Sequence, residues 1–457
     1  MSGKVTKVVP QDVADAHSDN NPLSSKAIAT MRLSKVEGSL TTVFLNWTSG
    51  SVLTGYMQFH DASTMDLALV GSIPALAQAS APFAAWIQSF YPHPKKLTII
   101  FALIGRTMWL LPALWPMFSL PKEAIPGYTI LLMLVSFFFL QACGVVWTAW
   151  MGGVVPRRIR GSYFGQRTAI LGMIGLCANL LAGIFLDHVG APLNYQVIFF
   201  IGVVCALLAT NLYRFHWQPP MVASPVRLYE VIRKPLRDPN LRRLLVFVAY
   251  WQASVLLGAT FVYPYFQKGH LHMTFTQIGI YQAIAATCSM IFGPMWGRVA
   301  DRFGNKSVLS ITTVIAGLFL PISWMFIPPG NPNMLYLNGI IDALAWSAIN
   351  PAIFNLSLAT APPKERIAYI SVINLCTGLS GFVGGILSAP LLETFEMTHC
   401  TIFDFEWTKY HTLFAVSACL RSCAWILLKR VNETHSWRTR DVIMAAIPRF
   451  ANFVWRR

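Results

Sequence analysis

Residues 275–327 read FTQIGIYQAIAATCSMIFGPMWGRVADRFGNKSVLSITTVIAGLFLPISWMFI. Two long apolar windows, 275–297 and 307–327, flank a turn, GRVADRFGNK (297–306), in which Arg298, Asp301, Arg302 and Lys306 are crowded together. A helix needs about 20 predominantly apolar residues to cross a hydrocarbon layer about 30 Å thick. Each window meets that length, and the charges between them have to stay in water. The stretch predicts a hairpin of two membrane-spanning helices joined by a short basic turn.

Working outward, the same pattern recurs along the chain. Apolar windows fall at 36–60, 65–89, 97–118, 127–152, 168–187, 194–213, 243–266, 275–297, 307–327, 334–358, 368–392 and 410–428, predicting twelve spans and an all-α integral membrane fold. Composition agrees. Of 457 residues, 55% are hydrophobic and 12% charged, with a mean hydropathy of +0.51. Soluble domains carry about 25% charged residues, so a soluble enzyme, a disordered tail protein and a fibrous protein are excluded. Residues 1–30 have no apolar core, and no secretory signal is visible. Seven of the eight cysteines lie inside apolar windows, with Cys400 in a loop; without a CxxC pair or a Cys/His cluster at zinc spacing they read as packing residues, and no metal or cofactor is expected.

The net charge of +16 then acquires a location. If the N-terminus is cytoplasmic, thirty of the 35 Lys and Arg residues fall on the inner side. Lys122, Lys268 and Lys409 fall outside, and Arg106 and Arg421 lie within spans. That asymmetry is the positive-inside pattern. It predicts both termini in the cytoplasm, a cytoplasmic (inner) membrane location and no nucleic-acid partner.

The chain divides at a polar, basic stretch, 214–242, with six spans on each side. Pro156, Arg160, Tyr163, Gly172 and Gly175 recur as Pro362, Arg366, Tyr369, Gly378 and Gly381, at a constant offset and at the entry to the fifth span of each half. The expected organisation is a cytoplasmic N-terminal tail (1–35), a first six-helix bundle (36–213), a central linker (214–242), a second bundle (243–428) and a basic C-terminal tail (429–457). Paired six-helix halves are a known transporter plan. The end of the C-terminal tail, 438–457, mixes basic and bulky apolar residues and suits either a membrane interface or a disordered tail.

In the 297–306 turn, Gly297, Asp301, Arg302, Gly304 and Lys306 stand where the major facilitator superfamily carries its loop signature, and the chain resembles that family in topology over its whole length. The resemblance implies two pseudo-symmetric six-helix bundles. It also implies a gate in which the Asp301 carboxylate caps the start of span 11, near Ala368 and Arg366, with Gly297 allowing close helix approach and Gly304 the reversal. The equivalent first-half turn, WIQSFYPHPKK (86–96), keeps Lys95 and Lys96 but lacks an acid.

Polar groups inside spans invite functional hypotheses, because they are costly there. Asn338, Asp342, Trp346 and Asn350 recur every fourth residue and share one face of span 10. Asp342 is the first candidate for pairing with a solute or exchanging a proton, against a structural ion pair with Arg421 in the same half. The family's lining spans 1, 4, 7 and 10 add Asn46, Gln141, Trp147, Tyr250 and Gln252 as candidates. Arg106 has no evident acidic partner at its depth and is weighed evenly between function and bracing. Glu37 reads as a cap at the start of span 1.

The expected function is a secondary transporter moving a small amphipathic solute, anionic or aromatic in character, by alternating access, coupled to a proton or another ion and acting as a monomer. Nothing resembles a nucleotide-binding loop. A non-transporting sensor or assembly factor of the same fold is the alternative, and the groups a membrane enzyme needs are not found.

Overall fold

A computed structural model describes residues 24–433, apart from 119–120, 221–224, 226, 363–364, 399 and 403–404. The C-terminal interfacial segment lies outside the described residues.

Among the described residues, twelve helical segments of membrane length follow one another: α1 (Ser25–Trp47, continued by Gly50–Phe59), α2 (Thr64–Phe90), α3 (Pro94–Leu114), α4 (Lys122–Val154), α5 (Arg160–His188), α6 (Leu193–Phe215), α7 (Pro239–Gly269), α8 (Phe275–Phe303), α9 (Asn305–Met325), α10 (Pro332–Thr360), α11 (Arg366–Thr394) and α12 (Lys409–Leu428). Ten of these are long and apolar enough to cross a membrane by length and composition. The other two have identifiable reasons. α1 breaks at Thr48 and Ser49, where Gly50 takes φ +60°. α10 carries Asn333, Asn338, Asp342, Asn350 and Asn355, which lower its hydropathy. A small antiparallel hairpin, Cys400–Ile402 with Phe405–Trp407, joins α11 to α12.

Several expected boundaries shift. The first helix begins at Ser25, well before residue 36, with the Ser24 side chain accepting from the Ala27 N–H. The fifth begins at Arg160 rather than 168. The basic turn at 297–306 is mostly helix: α8 runs through Phe303, and the reversal is the single residue Gly304, whose φ of +92° suits glycine. Arginines carried on helix ends, with their stems along the helix surface, look like loop in a hydropathy reading.

Lipid tails are as apolar as leucine, so packing and polar brackets, rather than water exclusion, hold such helices together. Small residues set the packing between halves. A side chain at Gly378 on α11 would come within 2.6 Å of the Ala75 carbonyl on α2, and its repeat mate Gly172 on α5 faces Met290 on α8. The repeat tyrosines tie each fifth helix to the start of the first: Tyr163 Oη lies 2.6 Å from Ser34 Oγ, and Tyr369 Oη donates to Asp238 at 3.3 Å.

Each half also contains a buried arginine bracket. Arg106 on α3, 1% exposed, donates to the Ala206 carbonyl and Thr210 Oγ1 on α6 and to Thr41 Oγ1 on α1. Its guanidinium lies 3.7 Å from the carboxylate of Glu37, 2% exposed, which also accepts from Tyr213 Oη and Thr41 Oγ1. Arg167 approaches the same carboxylate at 3.5 Å. This corrects two expectations: Glu37 lies in the body of its helix rather than at a cap, and it is the acidic partner that Arg106 lacked on paper. In the second half Arg421, also 1% exposed, donates to the carbonyls of Val255 on α7 and Ala316 on α9.

Candidate functional site

Because α10 is polar on one face, the helices around it leave a polar cavity. Its volume is about 620 Å³. Asp342, Trp346 and Asn350 reach it from α10, Gln252 and Tyr263 from α7, Tyr281 and Gln282 from α8, Asn374 from α11 and Arg421 from α12. Gln78 on α2 completes the lining from the first half. The Gln282 amide donates to Tyr263 Oη at 2.9 Å, and Trp324 and Trp346 supply aromatic walls. A carboxylate, carboxamides and aromatic faces in one cleft can hold a small ring-bearing solute by stacking while hydrogen-bonding its polar groups.

The structure brings together only part of the predicted set. Asp342, Trp346, Asn350 and Gln252 share the cavity. Asn338, one turn up the same stripe, does not: it is buried and donates to Ser323 Oγ on α9 at 2.6 Å. At 3.6 residues per turn, each four-residue step carries the stripe about 40° further round the helix, so its first member faces the neighbouring helix. Asn46 donates to Thr42 in its own helix, Trp147 lies under the Arg167 guanidinium at 4.2 Å, and Gln141 and Tyr250 are half-buried off the lining. Arg106 is walled into its bracket away from the cavity. Among the described residues Asp342 and Arg421 form no ion pair within 4.0 Å; Arg421 spends its donors on backbone carbonyls, and both groups face the shared cavity.

The two ends of the cleft differ. On the face away from the basic turns, the halves are stitched together. The Asp187 carboxylate at the end of α5 accepts from the backbone N–H of Phe275 at 2.9 Å and of Thr276 at 2.7 Å, the first two positions of α8. The Thr274 side chain takes the third, Gln277. Gln267 donates to the Ser51 carbonyl and Lys268 to that of Gln58, both on the continuation of α1. On the basic face the lining continues down to Ile353, Ser357 and Ile370.

The signature residues lie on that basic face, and here the expected gate is corrected. Asp301 and Arg366 are exposed, and Asp301 makes no hydrogen bond or ion pair among the described residues, so it does not cap α11. Gly297 has open space around it rather than a close helix. Arg302 lies over the ring of Phe303. The helix start that is capped belongs to α9: Glu433, just beyond α12, accepts from the backbone N–H of Asn305 and Lys306. The Lys306 ammonium in turn donates to the carbonyls of Lys429 and Val431.

Sequence reasoning missed Asp187, Glu433 and the Glu37–Arg167 pairing, because each acts on a partner at least 88 residues away. Local spacing contains no signal for such contacts.

Comparison with known proteins agrees with this geometry. The family model of the Major Facilitator Superfamily matches residues 244–456. The quinolone resistance protein NorA of Staphylococcus aureus (strain MRSA252) is 26% identical over 152 residues, 31% of this chain and 38% of the relative. The chain's match thus spans well under half the length of that curated relative. The crystal structure of the nucleoside transporter NupG superposes with a TM-score of 0.65 at 13% identity, covering 88% of this chain and 98% of that one. The inward-open xylose transporter XylE from E. coli gives 0.62 at 15% identity, covering 92% and 99%. The repeat, the two bracketed bundles and the superpositions converge: this chain is a multi-pass membrane protein with the fold of these transporters, and its residues 244–456 match the Major Facilitator Superfamily.

Proposed function

We propose that the chain is a secondary transporter that moves a small, ring-bearing amphipathic solute by alternating access, with Asp342 exchanging a proton for it. The observation that carries this reading is the cavity beside α10, where one carboxylate faces carboxamides and aromatic rings without being consumed by an ion pair. A lone carboxylate in a cleft shielded from bulk water is suited to binding either a proton or a polar solute group. The asymmetry of the cleft supports the rest: stitched at one face and lined down to the other, it corresponds to one of two access states, here open to the basic side. That side is the cytoplasm in this reading, because the order of spans in the sequence assigns thirty of its 35 cations to it. NorA's association with quinolone resistance fits a solute with an aromatic ring. The family match over residues 244–456 supports a transporter over a membrane enzyme.

The binding half of the proposal is tested by a thermal-shift screen of the purified protein against aromatic amines, nucleosides, sugars and quinolones. A hit is expected to lose its stabilising effect in Asn350→Ala and Gln252→Ala. Hits that are indifferent to both variants would place binding elsewhere and overturn the assignment of this cavity.

A further inference from the structure

A second cleft, about 350 Å³ in volume, opens at the basic face between the start of α7 and the end of α12. Arg242, Arg243 and Arg430 surround it, and Val246 and Leu427 form its floor. The three arginines are exposed and make no hydrogen bond or ion pair among the described residues. The acids nearest in sequence are committed elsewhere: Asp238 accepts from the N–H groups of Asn240 and Leu241 at the start of α7, and Glu433 from those at the start of α9. Guanidiniums that meet no carboxylate among the described residues are open to another anion.

The cleft is held open rather than left to chance. The Asn240 side chain donates to the Asn432 carbonyl at 3.0 Å and accepts from the Asn432 N–H at 2.9 Å, clasping the two helix ends. Its surroundings are lipid-facing. Val246 is 56% exposed, and Ile426 and Trp425 are exposed beside it. The Lys429 ammonium sits 3.4 Å from the Trp425 ring centroid, the aromatic-plus-cation pairing typical of a membrane–water boundary. Cationic groups thus ring an apolar floor at the ends of two membrane-length helices.

We infer that this cleft binds the phosphate of an anionic phospholipid, with the three guanidiniums on the headgroup and the acyl chains along Val246 and Ile426. Arginine matches phosphate oxygens with a planar fork of donors, and basic pockets between transmembrane helices on the cytoplasmic side are suited to anionic headgroups. A free phosphate would use the same guanidiniums but gain nothing from the apolar floor. An equal-sized cleft in the first half, lined by Arg32 and Lys35, serves as an internal contrast, because Lys35 is already spent on Gln166.

Native mass spectrometry of the detergent-purified full chain, titrated with phosphatidylglycerol or phosphatidylcholine, tests this. The wild type is expected to retain phosphatidylglycerol preferentially. Each guanidinium removed should cost about fivefold in that preference, and the triple variant Arg242→Gln, Arg243→Gln, Arg430→Gln about a hundredfold. Arg32→Gln should retain the lipid as the wild type does. Thermal unfolding of the same samples checks that the triple variant is folded; if it is not, the three single variants carry the test. Equal retention by wild type and variants overturns the site. Competition by inorganic phosphate at the same concentration as the lipid would mean an anion site only and overturn the lipid assignment.

Discussion

Replacing Asp187 should open the outer face. Its carboxylate closes the cleft by accepting two backbone N–H groups at the first turn of a 29-residue helix on the opposite half. Those donors would otherwise be orphans of the helix start, and the carboxylate also meets the positive end of the helix dipole, worth about 0.3–1 kcal/mol at an exposed site. Hydrogen bonds to charged groups contribute about 1.5–3 kcal/mol net when buried. Asp187 is exposed, and in the open state water replaces both bonds, so about 1–2 kcal/mol in total is the reasonable sum. Asp187→Asn keeps an acceptor and loses the charge, for about 1 kcal/mol or about fivefold in the closed-to-open ratio; Asp187→Ala loses both, for about 2 kcal/mol or about thirtyfold. Spin labels at Gly190 and Met334, one on each half of that face, report the ratio as two distance populations. The longer population should grow in the order wild type, Asn, Ala, and the difference should shrink at high salt. Identical distributions in all three proteins would refute the latch, as would growth in the alanine variant that an unrelated outer-surface substitution reproduces.

Four further outcomes follow from the same contacts. Asp301→Asn should leave the stability of this state unchanged and, if the carboxylate engages in the alternate state, move the label populations opposite to Asp187→Asn; a shift in the same direction would contradict that role. Glu37→Gln strands two guanidiniums around a buried site and should cost about 3–5 kcal/mol, read as a large drop in melting temperature in detergent. Gly378→Leu forces a side chain against the Ala75 carbonyl and should cost about 1–3 kcal/mol through overpacking between the halves, checked by the same melting assay. His216, at the basic end of α6, has its pKa lowered by burial, so the folded protein holds it neutral where the unfolded chain is protonated. That disfavours the folded state as pH falls below the ordinary histidine value near 6.5, and His216→Phe should flatten the melting temperature between neutral and mildly acidic pH.

The architecture was legible because membrane length and charge asymmetry are local, additive properties of a sequence. α8 and α9 could be read from 275–327 alone, and only the helix ends were misplaced, since arginines such as Arg298 and Arg302 ride on helix rather than loop. The cavity was half legible. Periodicity put Asp342, Trp346 and Asn350 on one face, but it cannot say where that face turns, and Asn338 went into α9. The contributions of Gln78, Gln282 and Asn374 depend on how α2, α8 and α11 meet α10. The charge brackets were the least legible. Arg106 is held by residues of α1 and α6, and Glu37 by side chains of α1, α3, α5 and α6, so neither could be understood before the helices were assembled. The signature at 297–306 pointed to the family that matches residues 244–456 but not to the contact observed: its acid has no partner among the described residues, while Glu433 and Asp187, outside any recognisable motif, cap helix starts.

The central claim is that solute and proton share the cavity around Asp342. The most direct measurement is proton movement in proteoliposomes loaded with a pH-sensitive dye, after a gradient of a solute found by the thermal-shift screen is imposed. The wild type is expected to move protons with the solute, and Asp342→Asn to move none while still exchanging labelled solute across the membrane. Proton movement that survives in Asp342→Asn, or a bound solute that never crosses in the wild type, would contradict the account.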